Sequence, residues 1–490
     1  MAGVGIRLNK IFEKNSIAAD LYGFTYSTII TVAPMFVVIG VIALIQWALG
    51  FSDAGYAERE LFADTVLYIF IFSLLSASPF NAVLSRYLSD IIFEERWADI
   101  IPCYYVGMML NVVLGCLLAI PFCVHEYLVG EVPLYYVLTG YFGFLGLLLV
   151  FYSMLYLSIS KDYKKISLFF TIGMGVSLLL SIIFKYISDF SVTYNLLLSL
   201  VIGFYVIASL EAAQILSYFR ENSRNYSAVF RYFRKYWQLI LTNFLYTFGL
   251  YVHNFVFWAT PMHLIVAKSF VTMMSYDMAS CLAMFTNISA TVIFISRVEM
   301  RFHERYKAYS EAVIGGRKND IDNTRNRMFQ QLSSELMTLV RIQFIITVVI
   351  FLLCIIFLPR FGFSGETLNI YHSLSVGYFI LFLMYAEILF LYYFNDLDGA
   401  LMTTFVFALS TAIGAYISTK LPAIWYGLGL IIGSFIGFTF AYVRIRWIEK
   451  NINTHTFCNG IILRQINQPR PSSLVYDQGV MTDSSKGRQS

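Results

Sequence analysis

Residues Pro133–Ile159 read PLYYVLTGYFGFLGLLLVFYSMLYLSI, with no charged side chain in 27 positions. A helix crossing the hydrocarbon of a bilayer needs about 20 mostly apolar residues, so this stretch predicts a transmembrane helix rather than a buried soluble one. The run is continuously apolar instead of alternating every second residue, which excludes a barrel strand. Eleven further runs of this kind flank it. Their approximate limits are Phe24–Leu49, Leu61–Leu88, Ile101–Val124, Ile166–Ile187 and Thr193–Ser217, then Trp237–Thr260, Phe270–Ile295, Met337–Leu358, Leu368–Phe394, Leu397–Ser418 and Ile424–Val443. The composition of the 490-residue chain agrees. Hydrophobic residues make up 58% and charged residues 13%, against about 25% charged in soluble domains, and mean hydropathy is +0.68. Soluble, collagenous and disordered classes are thereby excluded. The expected class is all-α integral membrane, with about twelve transmembrane helices.

The loop charges orient these spans. With both termini cytoplasmic, 28 of the 34 Lys and Arg residues fall on the inner side and 5 outside, at Arg59, Lys185, Lys268, Arg360 and Lys420. Arg341 is left inside the ninth span. Positively charged loops stay in the cytoplasm, so this bias predicts the orientation and supports an even count. The first apolar run is too long for a signal peptide. Residues 1–23 carry Arg7, Lys10 and Lys14 opposite Ile6, Ile11 and Phe12, which suits an amphipathic helix on the anionic inner leaflet or a plain basic flank. The net charge of +4 gives no reason to expect a nucleic-acid partner. The six cysteines show no C-x-x-C spacing, so neither a disulfide framework nor a metal site is expected. No cofactor is expected.

The chain carries an internal duplication. Span two ends in Ser85-Arg86-Tyr87 and then Phe93-Glu94-Glu95-Arg96; span eight ends in Ser296-Arg297-Val298 and then Phe302-His303-Glu304-Arg305. These pairs are 211 and 209 residues apart, whereas Lys161-Asp162 after span four and Asn395-Asp396 after span ten are 234 apart. The difference fits one insertion within residues 298–336, read as two short cytoplasmic helices around Gly315-Gly316. Two six-span lobes follow, of the same orientation because six is even. They cover residues 24–217 and 237–447, joined by a basic linker at 218–236. The polar, proline-containing tail at 448–490 is expected to be disordered.

Carboxylates within the spans are costly, about 3 kcal/mol at mid-membrane, and are functional candidates on that ground. Glu211 and Glu387 fall in the cytoplasmic thirds of spans six and ten, and Asp277 in the outer third of span eight. Span eight carries a stripe of Asp277, Ser280, Met284, Asn287 and Thr291 at spacings of 3, 4, 3 and 4, which is one helix face. Span seven has Asn243, Thr247 and Asn254 on a common face, with His253 beside it. Two such stripes suit a hydrated seam between lobes; the alternative is ordinary hydrogen bonding between membrane helices. His253 is either a proton-linked switch or a packed interior residue. Pro34 and Pro79 lie at similar depth and permit helix kinks, with Ser76, Ser78 and Asn81 placed to rebond the freed carbonyls. The 45 Phe and 35 Tyr exceed what interfacial belts need, and aromatic faces inside a path suit sugar rings. No P-loop or hydrolase motif occurs. Asp396-Leu397-Asp398 has the form of the D-x-D of some glycosyltransferases, but lies in a short turn with no nucleotide-binding domain.

Several segments together carry a family resemblance: Met1-Ala2-Gly3-Val4-Gly5-Ile6-Arg7-Leu8, Gly249 through Phe255-Val256-Phe257-Trp258, Tyr276-Asp277, Ser296-Arg297-Val298-Glu299, and Tyr309 with Gly315 to Glu335. The chain resembles the PelG exopolysaccharide transporter family, a distant relative of the multidrug/oligosaccharidyl-lipid/polysaccharide flippases. Where the family suggests an Asp-Lys pair in span seven this chain has His253-Asn254, and Asn395-Asp396 stands where a basic cluster is expected. The resemblance implies a flippase-like (MATE-like) fold and a non-enzymatic inner-membrane exporter of a hexosamine-rich polysaccharide for biofilm matrix. It also implies a cytosolic glycosyltransferase and a membrane scaffold sensing cyclic di-GMP as partners. The expected path is polar, aromatic and mildly acidic, with Glu211, Asp277 and Glu387 as path-lining or coupling groups. The rival readings are a cation-coupled multidrug antiporter and a membrane-embedded glycosyltransferase using Asp396 and Asp398.

Overall fold

The computed structural model describes residues 17–160, 162–187, 190–287, 299–361 and 363–458. The apolar runs become long helices. Spans one to six are Ile17–Leu49, Tyr56–Phe93, Ile100–Leu128, Leu134–Ile159, Tyr163–Ile187 and Val192–Tyr218. A basic amphipathic helix, Tyr226–Lys235, leads into span seven, Trp237–Trp258. Span eight begins at Met274 and is described to Asn287; its predicted continuation, with Thr291 and the Ser296-Arg297 motif, lies outside the described residues. Glu299–Gly315, Lys318–Phe357, Gly365–Tyr393, Leu397–Ser418 and Leu428–Cys458 complete the order. Among the described residues ten helices are long and apolar enough to cross a membrane, and the helices Ile17–Leu49 and Met274–Asn287 occupy the other two predicted positions. Residues 1–16 and 459–490, which hold most of the predicted amphipathic start and of the tail, also lie outside the described residues.

The bilayer is the solvent of this fold. Span nine exposes Phe344, Ile345, Val349, Leu352 and Leu353, and span three exposes Met109, Val113 and Leu117. Such apolar surface is stable only against lipid. Trp47, Tyr186, Trp97 and Trp237 are exposed at helix ends, the depth at which aromatic rings prefer the headgroup boundary.

The duplication is visible in three dimensions. Spans one and five pack together, as do seven and eleven; two pairs with four, as eight does with ten. The offset of 234 reappears in the backbone. Ser160 N–H bonds the Tyr156 carbonyl and Asp162 N–H the Leu157 carbonyl; Phe394 N–H bonds Phe390 and Asp396 N–H bonds Leu391 in the same pattern. Both are the helix-ending arrangement in which a residue past the last turn folds back on its carbonyls. Close helix contact is provided by glycine: a Cβ on Gly173 would lie 2.8 Å from the Gly203 carbonyl oxygen, and one on Gly414 2.9 Å from Gly429 Cα, the small-residue packing used where lipid supplies no hydrophobic drive.

The insertion differs from the expectation of two short helices. Its first helix ends at Gly315, and Arg317 starts the next, its N–H bonded to the Asp320 carboxylate at 3.2 Å. That second helix runs without a break from Lys318 into span nine, because no glycine or proline interrupts its sequence. Arg341 is exposed on it, at the start of the uncharged run that begins with Ile342. The chain divides into two compact units after Ala441; in the second, the helix continues to Cys458 with Trp447 and His455 in edge contact, 6.1 Å apart.

Candidate functional site

The halves meet along spans two and seven. On span two, Asp64, Tyr68, Phe72, Ser76 and Phe80 recur at four-residue spacing and therefore share one side of the helix. Tyr68 stacks on Trp258 of span seven with centroids 5.2 Å apart and planes 2° from parallel, and Phe72 stacks on Phe255 at 6.0 Å and 13°. One turn further in, the seam becomes polar: Ser76 is buried with its hydroxyl unpartnered, and the Asn243 amide donates to the Ser78 carbonyl. Pro79 is buried here. The carbonyl it deprives of an amide partner, Leu75, accepts the Ser78 hydroxyl at 2.9 Å, which is how the helix continues through the proline. Pro34 lies within the first span and is also buried.

Above the stacks the second half reaches over the first. Leu264–Val266 and Phe270–Thr272 form an antiparallel hairpin whose turn residues, Ala267 and Lys268, have φ of 47° and 50°. Both are left-handed, as the central residues of the turn closed by the Ser269 N–H on the Val266 carbonyl, yet neither is Gly or Asn. Contacts with the first half hold the turn. Tyr68 Oη donates to the Val271 carbonyl and accepts from the Val271 N–H, both at 2.9 Å. Thr272 Oγ1 donates to Asp64 at 3.1 Å, and Lys268 Nζ bonds Glu131 at 2.9 Å. The Lys268 ammonium holds the solvent-exposed Glu131 carboxyl below its ordinary value. At the other end, Arg86 Nη2 donates to Asn395 Oδ1 at 2.7 Å while its guanidinium lies over Tyr236.

The predicted site residues separate into groups. Asp277 is buried and fully engaged: Asn254 Nδ2 donates to Oδ1 at 2.7 Å, the Trp258 indole N–H lies 2.9 to 3.0 Å from both oxygens, and Met273 N–H reaches Oδ2 at 3.0 Å. His253 Nδ1 is 2.9 Å from the Tyr276 hydroxyl, and Ser280 is 2.8 Å from the Tyr378 hydroxyl. Asn287 donates to the Ser375 carbonyl at 3.1 Å and accepts from Gln343 and Thr347 at 3.2 and 2.7 Å. The described part of the span-eight stripe therefore faces spans seven, nine and ten within its own half, in place of the seam expected for it. Asn243 does lie between the halves. Glu211 is fully buried in the first half with neither oxygen partnered, and Glu387, 1% exposed, leaves Oε2 unpartnered. The two aspartates of the D-x-D are structural: Asp396 accepts the Gly399 N–H at the start of span eleven, and Asp398 accepts from Gln238 at 2.8 Å. Among the described residues no three His, Cys, Asp or Glu side chains gather where a metal ion would be held.

Asp64 and Tyr68 are the residues that sequence reading passed over. Asp64 is 2% exposed, with Oδ2 unpartnered. The four-residue spacing from Asp64 to Phe80 was the signal available. Gln343 was also missed, as a single amide in span nine.

Comparison with known proteins agrees with this architecture. A family model described as "PelG: Putative exopolysaccharide Exporter (EPS-E)" matches residues 1–457. No curated protein matches the chain. Among solved structures, an outward-facing multidrug resistance MATE family transporter of the MOP superfamily superposes with a TM-score of 0.58 at 15% identity, over 86% of this chain and 96% of that one. The inward-facing conformation of such a transporter gives 0.56 at 14%, over 86% and 99%. A variant of the Vibrio cholerae MATE transporter VcmN gives 0.59 at 13%, over 88% and 97%. At these identities the likeness establishes a MATE-like fold and nothing finer. With the family matched across most of its length and the fold that of a multi-pass membrane transporter, the chain belongs to the PelG exopolysaccharide exporter family.

Proposed function

We propose that this protein exports a hexosamine-rich exopolysaccharide across the bacterial cytoplasmic membrane, both termini inside, for incorporation into biofilm matrix. The observation that carries this reading is the family match over residues 1–457 on a fold whose two duplicated halves meet along spans two and seven. A path at such a junction exposes the polymer to the aromatic and polar side chains of both halves while the outer helices face lipid. Asn243 sits on that junction, and Glu211 and Glu387 are buried carboxyls available to couple movement to an ion gradient. Their placement in spans without full hydrogen bonding carries an energetic cost that fits a working rather than a structural role. His253, Asn254, Asp277 and Asn287 hold the second half in shape around the path. A cytosolic glycosyltransferase would feed the polymer in, and a cyclic-di-GMP-sensing membrane scaffold would recruit it.

The test is deletion and complementation in the native host, with matrix polymer assayed outside the cell and polymer trapped within. The reading predicts that secreted polymer disappears on deletion and returns with the intact chain. The likeness to multidrug MATE transporters favours one alternative, a cation-coupled drug antiporter. It predicts drug sensitivity on deletion with matrix unchanged.

A further inference from the structure

Two aromatic pairs bridge spans two and seven at the seam, each in the offset-stacked arrangement that aromatic rings favour. Each pairs one ring from each half with planes nearly parallel and laterally offset, so separating the halves uncovers the overlapped part of each ring face. Tyr68 and Phe72 are one helical turn apart, a rise of about 6 Å, comparable to the length of one sugar unit in a polymer. Unfilled hydrogen-bonding atoms flank the pair: Asp64 Oδ2 on the hairpin side and Ser76 Oγ on the other, both buried and unpartnered. A run of carboxylate, ring, ring and hydroxyl on one helix face offers an acceptor, two apolar platforms and a donor–acceptor in sequence. That is the pattern of a pyranose chain, whose C–H faces are apolar and whose edges carry hydroxyls. An aromatic face attracts such C–H groups through the same quadrupole that attracts a second ring, so a sugar can replace the opposing ring at small net cost.

From this we infer that the Tyr68/Trp258 and Phe72/Phe255 stacks are a saccharide-binding site closed on itself: when empty the rings seal the seam, and when the halves part the faces of Tyr68 and Phe72 receive two consecutive sugar rings. The hairpin is the second component of the seal, since Tyr68 holds Val271 through both main-chain atoms. A sugar opens the seal only because it binds the parted state better than the closed one. This inference rests on the export reading and assigns its binding residues.

The test uses the full-length chain in lipid nanodiscs, with maltohexaose and the hexasaccharide of chitosan as probes and binding read by calorimetry. Tyr68→Phe keeps the ring face but loses both bonds to the hairpin, so saccharide affinity should rise about fivefold as the competing closed state weakens. Phe72→Leu removes a receiving face, so affinity should fall about tenfold, whereas Phe255→Leu removes only the ring that covers it and should raise affinity as Tyr68→Phe does; Phe72→Tyr should retain affinity and shows that the seam still folds. Binding of neither probe by the intact chain, or unchanged affinity in both leucine variants, overturns the assignment. Unchanged affinity in those variants, where deletion still abolishes secretion, refutes the site alone. Ring-dependent binding in a chain whose deletion leaves secretion intact supports the site and refutes the export reading.

Discussion

Asp277 in span eight and Glu211 in span six are both carboxyl groups buried in membrane-spanning helices, and their surroundings are opposite. Asp277 accepts from an amide side chain, an indole and a main-chain N–H; neither Glu211 oxygen has a partner. Intramembrane charge alone marks both as candidates. The partner list divides them, one into an anchor that ties the end of span seven to the start of span eight, the other into a group whose role lies outside the resting packing.

Four outcomes would break or sharpen that division, and the first is the largest in stability. Asp277→Ala orphans three buried donors at once, so the chain should lose about 3 kcal/mol, read as a fall in the thermal transition of the detergent-solubilised protein. Tyr68→Phe should cost about 1–2 kcal/mol of the closed seal only; a cysteine introduced at Ser76 should then be labelled faster from the outer face. Glu211→Gln removes no hydrogen bond and should leave stability within about 1 kcal/mol while polymer export falls. A destabilisation equal to that of Asp277→Ala would end the comparison.

The Glu131–Lys268 pair has the smallest expected effect, because it is exposed and screened by salt. Its carboxyl is held below the ordinary value of 4.5, so the pair contributes at neutral pH and is lost only as acid protonates Glu131 below that value. The difference in hairpin opening between the intact chain and Glu131→Gln should therefore be present at pH 7 and vanish at strongly acidic pH, measured by fluorescence of a label on the hairpin.

Hydrocarbon thickness made most of the fold legible. The run Pro133–Ile159 became the helix Leu134–Ile159 because lipid leaves an uncharged stretch no other hydrogen-bonded form. The duplication was legible in the offset of Asp162 and Asp396, since the same helix ending recurs in both halves. Periodicity showed that Asp277, Ser280 and Asn287 share a face but not which neighbour that face meets, and the neighbour proved to lie within their own half. The hairpin was hidden for another reason. Its turn, Ala267-Lys268, lacks the Asn-Gly signature and keeps a left-handed backbone through contacts made more than a hundred residues away, at Glu131 and Tyr68. Asp64 escaped notice near the boundary of span two, where a carboxylate reads as a flank. The long helix Lys318–Phe357 hid its continuity behind a change from charged to apolar composition.

Locking the seam tests the central claim most directly. In an otherwise cysteine-free chain carrying Phe72→Cys and Phe255→Cys, oxidation in living cells should join spans two and seven and stop the secretion that the reduced variant retains, reductant should return it to that reduced-variant level, and neither single variant should respond to oxidation. Undiminished secretion from cells in which the two spans are fully cross-linked would contradict export between the halves.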